Sequence, residues 1–116
     1  MIETGNAIAE GESRRGWFIG NFIQPEQPLK TNNEIEVKWG IHPKGERRES
    51  LAVEGDILTI SLLIRGHFKV IFSGHEEVLK REGDYVMWKP NVRHSSEAIE
   101  DSVIVTIRMP SIPQIK

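Results

Sequence analysis

Short apolar runs recur along the chain, each broken by glycine, proline, asparagine or charged residues. Some runs alternate apolar with polar residues, as half-buried strands do, and one is apolar at nearly every position, as a strand covered on both faces is. The predicted strands are 17–23, 34–42, 57–64, 67–72, 77–80, 85–88 and 102–109. No window of useful length has helical periodicity, so the pattern predicts an all-β sandwich or barrel.

The length of 116 residues predicts a single domain over 1–116. Residues 1–16 are polar and contain glycine, and we expect them to be flexible or to lie across the surface. No internal repeat or low-complexity tract divides the rest of the chain. The composition, 38% hydrophobic and 28% charged, is ordinary for a globular protein with a real core.

Charge and cysteine content narrow the function classes. A formal net charge of −2 gives no broad attraction to phosphate backbones or anionic lipid, so nucleic acid and membranes are not expected partners. The absence of cysteine excludes disulfides, thiolate zinc sites and cysteine nucleophiles. The N-terminus has no apolar signal region and no stretch is long enough to span a bilayer, which predicts a cytoplasmic protein.

The predicted strand 34–42 separates two faces. Ile35, Val37, Trp39 and Ile41 share one face, because side chains alternate along a strand. The opposite face carries Glu34, Glu36, Lys38, His42 and Lys44. Two interpretations are open: the polar face is solvated, or it lines a ligand cavity while the apolar face packs against another sheet or subunit.

The segment GDYVMWKPNVRH resembles the second sequence motif of the cupin superfamily. Gly83, Asp84, Pro90 and His94 stand at the matching places, and Asn91 stands where the family usually has glycine. The resemblance implies a double-stranded β-helix, the jelly-roll barrel, in which this histidine faces the interior.

The first cupin motif is similar but degenerate. His42-Pro43-Lys44 stands in place of two metal-binding histidines, and the place of the family's glutamate, counted back from Gly66, falls on Thr59. The resemblance spans the segment from about Glu34 to Pro110, which is most of the chain. The resemblance implies that His42 and His94 face each other across one cavity.

Cupins of the metal-binding kind hold iron, manganese, nickel or zinc with three histidines and a glutamate. His42 and His94 are therefore candidate metal ligands, and Glu46 or Glu49 could supply a third. Because two of the four usual ligands are replaced, we expect any divalent ion to be weakly held. This alternative is a metal-dependent enzyme of isomerase, lyase or oxygenase type.

The other interpretation is a metal-free small-molecule pocket, in which catalysis, binding and sensing all stay open. Its predicted lining is His42, Lys44, Thr59, Trp88 and His94. A lysine and two imidazoles suit a small anionic or hydroxylated metabolite. The alternative for Trp88 is core packing in place of ligand contact.

If His42 faces a cavity, Ile35, Val37, Trp39 and Ile41 face outward. A contiguous apolar row of this kind usually marks an interface. We therefore expect a homodimer with Trp39 at or near the contact, unless residues 17–23 of the same chain cover the row.

Overall fold

The computed structural model of the chain describes residues 1–49, 56–90 and 92–113, so Asn91 of the second motif lies outside the described residues. A short α-helix, α1 (Ala7–Gly11), and a 3-10 turn, Glu12–Arg14, precede the strands. The strands are β1 (Trp17–Ile19), β2 (Glu36–His42), β3 (Arg47–Glu49), β4 (Leu58–Arg65), β5 (Phe68–Phe72), β6 (His75–Leu79), β7 (Tyr85–Trp88), β8 (His94–Ala98) and β9 (Ser102–Met109).

These strands form two antiparallel sheets. The first has the order β1-β2-β9-β4-β7 and the second the order β3-β8-β5-β6. Apart from β1–β2 and β5–β6, the paired strands are not consecutive in sequence, as in the double-stranded β-helix. The predicted all-β jelly-roll barrel is therefore confirmed.

Two strands were not predicted from the sequence. β3 has the sequence RRE and β8 has HSSEA, and neither contains the alternating apolar residues that identify a strand. Their polar side chains are accommodated because β3 is exposed at a sheet edge and β8 borders a polar cavity. The predicted strand 17–23 is shorter than expected, ending at Ile19.

The N-terminal segment is ordered against the first sheet. Asn6 caps α1 by accepting a hydrogen bond from the Ala9 backbone N–H at 3.0 Å. Gly11, at the end of α1, is buried, and its carbonyl accepts a hydrogen bond from the Gly16 N–H. α1 contacts β1 and β2, so this part of 1–16 lies across the sheet surface. No helix within the described ranges is long and apolar enough to cross a membrane.

The hydrophobic core lies between the two sheets. Alternate residues of β5, namely Phe68, Val70 and Phe72, point inward. They pack with Leu63, Leu79, Ala98 and Ile104. Removing this apolar surface from water holds the two sheets together.

Part of the first sheet has the reverse of the usual polarity. Along β4, Thr59 and Ser61 are buried, whereas the apolar Leu58, Ile60 and Leu62 are only partly buried. An amphipathic strand normally buries its apolar face. The inversion gives the barrel a polar interior and leaves an apolar outer surface.

Candidate functional site

A cavity of about 80 Å³ lies between the two sheets. His42, Thr59, Trp88 and His94, all predicted from the sequence, are among its lining residues. Because His42 and Lys38 are in this lining, the structure favours the interpretation in which the polar face of β2 lines a cavity. Their role in ligand binding stays a prediction.

The sheet register arranges the lining in two transverse rows. Arg108 stands opposite Glu36 on one side and Thr59 on the other, and Trp88 is opposite Thr59. The second row runs in the same way through Lys38, Thr106, Ser61 and Val86. Directly opposed residues share a face of the sheet, so both rows point into the barrel. The second sheet faces them with Arg48, Ser96, Val70 and His94.

His42 lies at the end of β2 and is 6% exposed. Its imidazole occupies space left by Gly40, where an added Cβ would stand 2.7 Å from His42 Nε2. Burial lowers the pKa of His42 below 6.5, although Glu46 opposes the shift. The neutral ring can then donate its Nδ1 proton to Glu46 Oε1, 2.6 Å away, which leaves Nε2 as an acceptor.

Glu46 links His42 to Arg48, whose Nε lies 2.9 Å from the same carboxylate oxygen. Burial raises the pKa of Glu46, but the His42 hydrogen bond and the Arg48 charge outweigh it, so the pKa lies below its ordinary value. The carboxylate is thus ionised and already engaged on both sides.

His94 begins β8, opposite Phe72. Its ring centroid is 4.6 Å from that of Trp88 and 6.3 Å from that of Phe72, so two aromatic rings fix its position. Burial, and then the charge of Arg108, lower the pKa of His94, while a hydrogen bond to the Val92 backbone opposes the shift. At neutral pH both cavity imidazoles are therefore uncharged.

Lys44 does not lie beside these residues, and that prediction is wrong. β2 ends at His42, so the alternation that would have turned Lys44 inward ends with it. Lys44 is exposed in the following turn, where its backbone N–H donates to Asp101 Oδ1 at 2.8 Å. Lys38, four residues before His42 on β2, lines the cavity instead.

Lys38 makes no hydrogen bond or ion pair with the described part of the chain beyond its strand backbone; its Nζ stands 5.8 Å from the centre of the Trp17 ring. Burial, followed by the charges of Arg48 and Arg108, lowers the pKa of Lys38 to about 8. The amine is thus mostly protonated at neutral pH and is available to a ligand.

Arg108 is held by a partly buried polar network. Its Nη1 lies 3.5 Å from Glu36 Oε2, and its guanidinium stacks 4.8 Å from the Trp17 ring centre. Glu36, only 5% exposed, accepts a 3.0 Å hydrogen bond from the Ser111 hydroxyl, which in turn accepts one from the Asn21 N–H. Within the described ranges, the buried Nε of Arg108 has no hydrogen-bond partner.

The donor set does not fit a divalent metal ion. The described residues contain no group of three or more His, Asp or Glu side chains that could hold one. Glu46 is engaged by His42 and Arg48, and Glu49 is exposed on β3. Three cationic side chains, Lys38, Arg48 and Arg108, line the same cavity and would repel a cation.

Several lining residues were not among the predicted site residues: Arg48, Ser61, Ser96, Thr106, Arg108 and Lys38, the last of which was placed on the polar face of β2 but not assigned to the pocket. Alternation was the available signal for the residues of β9. Val103, Val105 and Ile107 share one face of that strand, which places Thr106 and Arg108 on the other. Arg48 gave no such signal, because it lies in a run of charged residues without alternating apolar positions.

Structural comparison identifies the architecture. The protein is similar to KdgF from Halomonas sp., with 20% identity, a TM-score of 0.61 and coverage of 67% of this chain and 71% of that one. It is also similar to a cupin superfamily protein from Desulfitobacterium hafniense, with 16% identity, a TM-score of 0.62 and coverage of 76% and 84%.

A third similar structure is a transcriptional regulator of the HTH_3 family from Vibrio cholerae, with 13% identity and a TM-score of 0.58. The match covers 71% of this chain but only 45% of the regulator, so the chain spans less than half of that protein. No protein-family model and no curated protein matches the sequence. The two facing sheets and these likenesses together show that the chain has the jelly-roll fold of the cupins.

Proposed function

We propose that the protein binds a small carboxylate-bearing metabolite inside the barrel, between Lys38 and Arg108. The observation that carries the proposal is the pair of unsatisfied cationic donors: Lys38 Nζ has no polar partner among the described residues, and Arg108 Nε is buried without one. A buried donor without a partner is costly, so an anion that bonded Arg108 Nε would remove that cost, and the same anion could pair with the Lys38 ammonium.

The charge balance supports an anionic ligand. Lys38, Arg48 and Arg108 are opposed by the carboxylates Glu36 and Glu46, which leaves one positive charge in excess. His42 from the first sheet and His94 from the second add neutral ring nitrogens to the cavity lining, because burial keeps the pKa of each below its ordinary value. A planar carboxylate can form two parallel hydrogen bonds with a guanidinium, which a point cation cannot offer it.

The remaining lining supports a small ligand with further oxygen atoms. Thr59, Ser61 and Thr106 present hydroxyl groups from adjacent strands, and each hydroxyl can donate or accept. Trp88 closes one side beside His94. The volume of about 80 Å³ suits a molecule of a few carbon atoms.

Binding measurements with matched lysine variants test this function. Calorimetry with acetate, lactate and pyruvate should give saturable binding to the unmodified protein. Lys38→Met should weaken it about tenfold or more, since a charge-assisted hydrogen bond contributes roughly 1.5–3 kcal/mol. Lys44→Met is the control, because this exposed lysine lies outside the cavity, and it should bind as the unmodified protein does. Equal losses in both variants, or no binding of any carboxylate, would overturn the proposal.

A further inference from the structure

We propose that Lys38 forms a covalent imine with the carbonyl group of a small oxo acid whose carboxylate lies against Arg108. This inference rests on the proposed function and names a ligand class within it. Lys38 is the inward-facing lysine of β2, and the register places it opposite Thr106, one inward position from Arg108 on β9. Its Nζ is not engaged by a carboxylate of the described chain.

The surroundings of Lys38 favour the nucleophilic, neutral amine. Arg48 from β3, Arg108 from β9 and Arg15 from the segment before β1 repel its charge, while Glu46 is the carboxylate that opposes them. Burial, followed by the charges of the arginines, lowers the pKa of Lys38 to about 8. Roughly a tenth of the amine is therefore neutral at pH 7. Lysines that react with carbonyl substrates are activated in this way, by desolvation or by a cationic neighbour.

The cavity separates the two functional groups of an oxo acid. Arg108 is diagonal to Lys38 across the β2–β9 pair, and diagonal neighbours are about 7–8 Å apart, within reach of two long side chains. A carboxylate bound to the guanidinium would therefore bring an adjacent carbonyl carbon toward Nζ. Thr106 and Ser61, in the same row as Lys38, offer hydroxyl donors to the carbonyl oxygen.

The step balances without an oxidant or reductant. The Nζ lone pair attacks the carbonyl carbon, forming a C–N bond as the C–O π bond breaks and giving a carbinolamine. The carbonyl oxygen then leaves as one water that carries away both Nζ protons, and the C=N bond forms. Hydrolysis reverses the same steps and releases the oxo acid.

Reductive trapping tests the imine. The protein is incubated with pyruvate and sodium cyanoborohydride, and the adduct is located by intact mass and peptide mapping. We expect one reduced pyruvate adduct on Lys38, formed faster as the pH rises toward about 8. Lactate, which has a hydroxyl in place of the carbonyl, should bind without forming an adduct. Lys38→Met should abolish the adduct and Lys44→Met should retain it.

Calorimetry with the same two ligands separates the possible failures. Pyruvate binding with no adduct on Lys38, or an adduct spread equally over exposed lysines such as Lys44, would overturn the imine and leave the anion-binding function standing. If neither pyruvate nor lactate bound, both the imine and the proposed function would be overturned.

Discussion

At the scale of single residues, the ionisable groups in the barrel depend on one another. The pKa values of His42 and His94 are lowered mainly by burial, and each is lowered further by a neighbouring cation, Lys38 or Arg108 respectively. Keeping the imidazoles neutral limits the positive charge of the cavity to that of the lysine and arginines. The cavity can thus accept a single anion without a large charge imbalance.

This arrangement makes stability depend on pH. The folded pKa of His94 lies below the ordinary value of 6.5, so the unfolded chain binds a proton more readily as the pH falls below about 6.5. His94 therefore contributes a loss of stability between that pH and its folded pKa. We expect His94→Gln to reduce the loss of unfolding free energy between about pH 7.5 and about pH 5.5.

Urea denaturation at the two pH values measures this effect. The control is His75→Gln, because His75 lies in an exposed position on β6, with a side chain that is 60% exposed. An unchanged pH dependence in His94→Gln would contradict the assignment of a lowered pKa to His94.

Alternation along β2 put His42 on the polar face of the strand, and it was the resemblance to the cupin motifs that favoured a cavity on that side. Alternation predicted Lys44 wrongly for a physical reason. The period-two rule holds only while the strand continues, and β2 ends at His42. Polar residues on β4 and β9 were harder to predict. Thr59 and Ser61 are ordinary strand residues by type, and only the sheet register shows that they face inward beside Arg108.

At the scale of elements, the turn between β4 and β5 fixes how the two sheets meet. Gly66 has φ +112°, a conformation that residues with a Cβ rarely adopt. An added Cβ would overlap the Asp101 carbonyl oxygen, and also Ser102, whose hydroxyl bonds to the His67 backbone. This turn is therefore packed against the start of β9.

We expect Gly66→Ala to destabilise the fold about 1–3 kcal/mol more than Gly74→Ala does, because only the first substitution adds a steric overlap. Gly74 is the matched control: its φ is +83°, and nothing lies within 4 Å of an added Cβ. Chemical denaturation of the two variants gives the difference. Equal destabilisation would show that backbone strain, and not close packing, makes glycine necessary at position 66.

The strands that were recognisable from sequence are those with apolar side chains at alternate positions or throughout. β4 and β9 met this condition and were predicted as strands, and each has a neighbour on both sides in the first sheet. β3 and β8 did not, because their inward positions hold Arg48, His94 and Ser96 in place of apolar residues. The polar side chains that line the cavity are therefore the reason that the sequence pattern did not predict these two strands.

At the scale of the whole molecule, the outer face of the first sheet is apolar. The register joins Trp39, Val105, Leu62 and Tyr85 in one row across four strands. A second row runs through Val37, Ile107, Ile60 and Met87. Ile41, Tyr85 and Met87 are 58%, 62% and 47% exposed. β1 extends the sheet at the edge of β2, and Val37, at the β2 end of the second row, is already buried, so the exposed part of this face lies toward β4 and β7.

We propose that a second copy of the chain covers these rows. A two-fold axis would place the same apolar rows against each other, so one surface serves both partners. Trp39 would lie near the contact, and its buried Nε1 has no hydrogen-bond partner among the described residues. The proposed interface leaves the cavity, on the opposite face of the sheet, free for a ligand.

Sedimentation velocity at micromolar concentration tests the dimer. The unmodified protein should sediment as a dimer, and Met87→Lys should shift it toward monomer by placing a charge in the apolar row. Val78→Lys is the control, since Val78 is 46% exposed on β6 of the other sheet and should leave the dimer intact. A monomeric unmodified protein would contradict this account.

The most direct test of the central claim is a crystal structure of the protein grown with a saturating small carboxylate such as lactate. The account predicts the carboxylate inside the barrel, within about 3 Å of Lys38 Nζ or the Arg108 guanidinium. A metal ion held between His42 and His94, with the carboxylate absent from the cavity or bound to that ion, would contradict it.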